Sequence, residues 1–186
     1  MRVVVLVLAF AGAVVVAACG SDPGTPGAGA NVAAIVDSAD QVAFGSRTLL
    51  TDNGLLRAEV FADTALFMEN NTRASLRVVH ADFFGATGAK EATLTAKVGN
   101  LTQRNGTFEA WGNVIITSVD GRVLKTPMIK FLQSQNQIMS DSSFVLTEPG
   151  EKEMRGVGFR ADPNLSAVQV LRVQEGRGGV VRLPNE

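Results

Sequence analysis

The chain has 186 residues, with Lys+Arg 17 against Asp+Glu 18 and a formal net charge of −1. That length holds one domain or two small ones, and the charge balance excludes a basic nucleic-acid binder. One Cys excludes an internal disulfide and any paired-cysteine zinc site, and one His leaves little for a His-based centre, so no cofactor or metal is expected.

The N-terminus reads as an address. Met1-Arg2 carries one positive charge, and Val3 to Ala18 follows without any charge. The run is short for a membrane span, which needs about 20 residues. Val16-Ala17-Ala18-Cys19 looks like a lipobox, so residues 1–18 are expected to be a cleaved signal peptide and Cys19 an acylated N-terminus. More than one acyl chain makes such an anchor stable. Gly20 to Gly29 is Gly- and Pro-rich, and residues 19–38 are expected to form the anchor and a flexible linker. In enteric bacteria an Asp after the cysteine retains lipoproteins in the inner membrane. Gly20 stands there instead, which leaves the outer membrane open. Val32 to Ala39 has room for a helical turn or two.

From Gln41 onward the apolar period is two, the mark of strands. Val114 to Thr117 and Ser143 to Thr147 are β-rich runs. Turn signals separate them: Asp52-Asn53-Gly54, Ala86-Thr87-Gly88, Asn105-Gly106, Asp120-Gly121 and Glu148-Pro149-Gly150. Gly54, Gly88, Gly121 and Gly150 lie 34, 33 and 29 residues apart, which points to an internal repeat. In each unit an apolar residue (Val60, Leu94, Leu124, Met154) is followed two positions on by a small one (Ala62, Ala96, Thr126, Gly156). Five positions later stands Phe67, Leu101, Phe131 or Ala161. Polar breaks follow at Glu69-Asn70-Asn71, Gln103 to Gly106, Ser134 to Gln137 and Asp162-Pro163-Asn164. Each unit is therefore expected to be a hairpin, and the stacked hairpins an elongated, twisted, all-β sheet folded over an apolar interior. Its two ends present edges that can pair with another chain. The domain is expected over residues 39–173. The Gly- and Arg-rich tail 174–186 is either flexible or adds a strand at Val180 to Leu183.

Three segments, Asp52 to Asp63, Val79 to Gly88 and Ala110 to Thr117, resemble in their order the LptC family. The resemblance spans about Ala39 to Val173. It implies a β-jellyroll open along one side, with a greasy groove, that takes lipopolysaccharide from an inner-membrane ABC extractor and passes it to a soluble periplasmic jellyroll protein. Family members are held by a transmembrane helix, whereas this chain carries the lipobox, so it is expected to be lipid-anchored at the periplasmic face of the inner membrane of a diderm bacterium, with the outer membrane as the alternative.

Groove candidates are the large apolar residues of the repeat and its paired strands: Phe67, Phe83, Leu101, Val114, Ile116, Phe131, Phe144 and Phe159. The same residues also read as ordinary core. Docking edges are expected at Val42, Phe44 and Leu50, facing the extractor, and at Val168, Val170 and Val173, facing the next jellyroll. The assignment of partners to edges follows from the resemblance alone. Trp111 has the opposite parity to Val114 and belongs to a rim or to the second face. His80 and Asp82 share one face of a strand, but no nucleophile accompanies them, so they read as a surface contact and not an enzyme. Gly156-Val157-Gly158 follows no strand-to-helix transition and is no dinucleotide loop. Glu109, Asp120, Glu148, Glu151 and Glu153 read as solvated charges. Arg172, Arg177 and Arg182 read as a solvated end that could also meet lipid phosphates. A structural or outer-membrane-assembly β-sandwich lipoprotein without lipid cargo is the competing function.

Overall fold

Apolar residues at alternate positions need a face on which to be buried, and a pleated sheet supplies one. A computed structural model describes residues 39–150 and 152–177. Nine strands follow one another there: β1 (Gln41–Asp52), β2 (Leu55–Met68), β3 (Arg73–Phe84), β4 (Lys90–Thr102), β5 (Thr107–Ser118), β6 (Val123–Leu132), β7 (Gln137–Glu148), β8 (Lys152–Ala161) and β9 (Val168–Arg177). Each pairs antiparallel with the next, giving one sheet in the order β1 to β9. The first and last strands are its edges. Strand β9 continues past Val173 to Arg177. The expected signal peptide, Cys19, the linker with nearly all of Val32 to Ala39, Glu151, Arg182 and the segment Val180 to Leu183 lie outside the described residues.

The connections fall where the turn residues stand. Asn53 (φ 50) and Gly54 (φ 78) are both left-handed, as a two-residue turn matched to strand twist requires. Single 3-10 turns at Gln103–Asn105 and Gln133–Gln135 end in left-handed Gly106 and Asn136. Successive connections also bond to one another: the Gln103 amide donates to the Thr72 carbonyl at 3.0 Å, and the Gln133 amide to Gly106 at 3.4 Å.

The sheet is rolled. Neighbouring strands lie about 4.8 Å apart, so in a flat sheet β3 and β6 would be about 14 Å apart. Yet the Phe83 and Phe131 rings, one on each, meet at 4.9 Å between centroids. The Gln133 side chain, after β6, donates to the Thr51 carbonyl at the end of β1. Rolling brings one face onto itself and buries a single apolar cluster running from Leu50 to Val170.

A seam crosses all nine strands. Pairing skips Gly45 opposite Asp63, Val78 opposite Asp63 and Lys97, Gly112-Asn113 opposite Pro127, and Gly158 opposite Leu171. Gly45, Val78, Gly112, Asn113 and Gly158 all have positive φ. At the seam the inward-facing set changes parity, as it must wherever a strand kinks or slips by one residue. In β3 the buried residues pass from Ala74 and Leu76 to Val79, Ala81 and Phe83. In β6 they pass from Leu124 and Thr126 to Ile129 and Phe131.

Candidate functional site

The repeat positions all face inward. Val60, Leu94 and Leu124 are buried, Met154 is packed against the core, and Ala62, Thr126 and Gly156 lie beside them. Of the eight groove candidates, Phe83, Leu101, Val114, Ile116, Phe131, Phe144 and Phe159 are at most 2% exposed, and Phe67 is partly buried against the same cluster. They therefore form a filled interior and not the wall of an empty groove. The Phe144 and Phe159 rings pack edge to face at 5.2 Å, a geometry that aromatic quadrupoles favour. Phe108, Ile129 and Ile138 are just as buried but were not singled out by the repeat. Alternation along their own strands marks them, once the seam is known.

The edge candidates divide by facing. Phe44 is 79% exposed on β1, with Leu49 beside it at 51%, and Val42 is half-buried. On β9, Val173 and Leu171 are exposed and Val168 is half-buried. Leu50 and Val170 turn their side chains into the core, so they can contribute only backbone to a docking edge. Among the described residues, each edge thus combines unpaired ladder groups with exposed apolar side chains, the combination that templates strand addition.

The outer face over β1 to β4 is polar and aromatic. Arg47 pairs with the largely buried Glu59, and its guanidinium sits 6.0 Å from the Phe61 ring centroid. Phe61 meets the His80 ring at 5.8 Å. His80 Nε2 lies 3.1 Å from Asp82 Oδ1, which also takes Lys90 Nζ at 2.7 Å and the Thr93 hydroxyl at 3.1 Å. Burial pushes the Asp82 carboxyl upward, but the Lys90 and Thr93 hydrogen bonds and the charges of Lys90 and His80 outweigh it, leaving the pKa below the usual value. Strand neighbours satisfy this cluster. No reacting group lines up with it, and among the described residues no group of His, Cys, Asp and Glu could hold a metal. Trp111 sits half-buried on the outer face, opposite Val98 and Met128. Asp120 accepts from the Ser118 hydroxyl and pairs with Arg122. The Ser118 bond, with help from Arg122 and against burial, lowers its pKa. Glu109 pairs with Lys130 at 3.2 Å, and Glu148 lies 4.0 Å from Arg122.

The widest break in the ladders lies between β6 and β7. Strands β6 and β7 pair at Val123–Lys125 and again at Lys130–Leu132, with nothing paired between. Pro127 stands in the gap and cannot donate to a ladder. Hydroxyls take over: Thr126 donates to the Ser143 carbonyl at 2.9 Å and Ser140 to the Met128 carbonyl at 2.7 Å. A surface depression of about 550 Å³ lies over this breach and reaches Phe144.

Among the described residues no helix is long and apolar enough to cross a membrane. The family model described as lipopolysaccharide-assembly, LptC-related, matches residues 4–175. No curated protein matches the chain. Among solved structures, the chain is similar to LptH of Pseudomonas aeruginosa, described as the LptA homologous periplasmic component of the lipopolysaccharide transport device. That similarity has 19% identity and a TM-score of 0.45, over 69% of this chain and 89% of that one.

Proposed function

We propose, from the premise that this chain belongs to the LptC-related family of lipopolysaccharide-assembly proteins, that it is a periplasmic lipid-relay module. It accepts lipopolysaccharide from an inner-membrane ABC extractor at the β1 edge and passes it to the next jellyroll at the β9 edge. Acylated Cys19 tethers it to the membrane. The observation that carries the reading is a sheet whose two edge strands are free of each other and expose Phe44, Leu49, Leu171 and Val173. Such edges let successive jellyrolls join into one continuous sheet.

The interior supplies the chemistry. Exposing an acyl chain to water costs about 0.8 kcal/mol per CH₂. Phe67, Phe83, Leu101, Val114, Ile116, Phe131, Phe144 and Phe159 offer an apolar lining that lowers this cost. Because the rings now fill the space they line, a lipid enters only when the rolled sheet loosens. Shallow apolar contacts with no fixed polar anchor inside keep the lipid mobile. No catalytic step is assigned.

The filled core favours a second reading, a structural β-sandwich lipoprotein without cargo. A photo-crosslinking amino acid at Phe131, at Phe67 and at outward Lys130, in the native host, decides between the two. Lipopolysaccharide adducts at Phe67 or Phe131 and none at Lys130 support the relay. A folded, membrane-bound protein with no adduct at any site supports the second reading. Phe67 covers the case in which a label at fully buried Phe131 prevents folding.

A further inference from the structure

The β6–β7 breach carries more than a missing set of ladder bonds. The depression over it, of about 550 Å³, has a size typical of small-molecule sites. Its lining includes Phe144, whose side chain belongs to the core, together with the exposed residues Lys125 and Arg155. Register places Lys125 and Arg155 on either side of Val145, on one face, about two strand spacings or ~10 Å apart. Both cations are exposed. Lys125 forms no ion pair among the described residues. Arg155 reaches Glu153 through Nε at 2.7 Å. Two cations at the rim and an aromatic floor match an anionic amphiphile, with the charge in water and the apolar stem behind it.

We infer that the β6–β7 breach binds the phosphorylated end of an anionic lipid, with Lys125 and Arg155 on the phosphate and the first part of an acyl chain against Phe144. The inference rests on the lipid-relay reading and adds the place where the head group is read. Hydroxyl bridges from Thr126 and Ser140, in place of a full ladder, let this gap admit a chain where a continuous ladder would not.

The test uses the full chain, diphosphoryl lipid A and its dephosphorylated counterpart, with binding followed by fluorescence titration. K125E/R155E is compared with wild type, and the milder K125Q/R155Q serves if charge reversal disturbs folding by far-UV circular dichroism. The expected result is about tenfold or greater weakening for the phosphorylated lipid, with the dephosphorylated lipid unaffected. Equal binding of both lipids by variant and wild type overturns the site and leaves the relay reading standing. Binding of neither lipid by wild type overturns the relay reading and the site with it. Inorganic phosphate separates the sources of the anion. Competition only against the phosphorylated lipid supports the assignment, and phosphate binding at these residues without lipid binding overturns it.

Discussion

Two ladders of the same sheet behave differently. Strands β2 and β3 pair from Ala58 opposite Phe83 to Met68 opposite Arg73, skipping only Asp63 and Val78. Strands β6 and β7 hold together at their two ends and bridge the middle with hydroxyls. Both pairs cross the seam and both bury a full inner face. The seam alone therefore does not open a sheet. The β6–β7 gap holds Pro127, which cannot donate, and unequal lengths of chain on the two sides. Regular and breached ladders are stabilised differently, and the following substitutions separate them.

The largest effect is expected in the intact interior. Phe131→Ala removes a fully buried ring that packs on Phe83 and should cost about 3–5 kcal/mol in urea unfolding. Phe144→Ala, beside the breach, should cost about 3 kcal/mol or less, because the gap lets the site relax or admit water. Equal losses at the two positions would show that the breach does not soften its surroundings. Next, Gly156→Ala would set a Cβ 2.8 Å from the Arg172 carbonyl and 2.9 Å from the Phe144 ring. It should cost about 1–3 kcal/mol, and near-UV circular dichroism should report the displaced ring.

Thr126→Val removes the hydroxyl donated to Ser143 and should cost about 1 kcal/mol. It should also speed amide exchange in Lys130 to Leu132 while leaving β2 and β3 unchanged. Uniform acceleration would mean that the two ladders open as one unit. Val78 gives an effect of similar size and opposite sign. Its φ is +50 and its side chain is 61% exposed, so a branched residue is held in a left-handed conformation with little packing in return. Val78→Asn should stabilise by about 1 kcal/mol.

The smallest effect is at Asp82. Its folded pKa lies below the unfolded value of 3.8, so its contribution is present above that value and is lost as pH falls through the folded pKa. Asp82→Asn should flatten the acid limb of the stability profile below about pH 4 and leave the neutral region parallel. An unchanged acid limb would mean that the Lys90 and Thr93 bonds add nothing specific to the charged form.

Much of the fold was legible because turn chemistry is local. Asn53-Gly54, Gly106 and Asn136 occupy left-handed turn positions that few other residue types adopt readily. Repeat phase marked equivalent positions of β2, β4, β6 and β8 from Val60 to Ala161, but which way they face was decided by the rolled sheet. The interval of five from Ala62 to Phe67, and at the three equivalent places, also carries a signal of the seam. Five is odd, so both residues can face inward only if the strand kinks between them. The breach was not legible in this way. Pro127 announces a missing donor, but which neighbour loses its bond depends on register with β7.

The candidate site divides along the same line. Large apolar residues at repeat positions were recognisable as an interior. Whether that interior stands empty or is filled was not, since this depends on how tightly the sheet rolls. Leu50 and Val170 were placed on edges, which is correct for their strands, but their side chains belong to the core.

By itself, the sequence determined the strands, the turns and the hairpin repeat, because alternation and turn conformation depend on neighbours along the chain. Only the tertiary structure decided the seam, the contact of Phe83 with Phe131 and the gap beside Pro127. These arise from pairing and rolling between residues far apart in sequence, where each strand's conformation answers to the strands beside it.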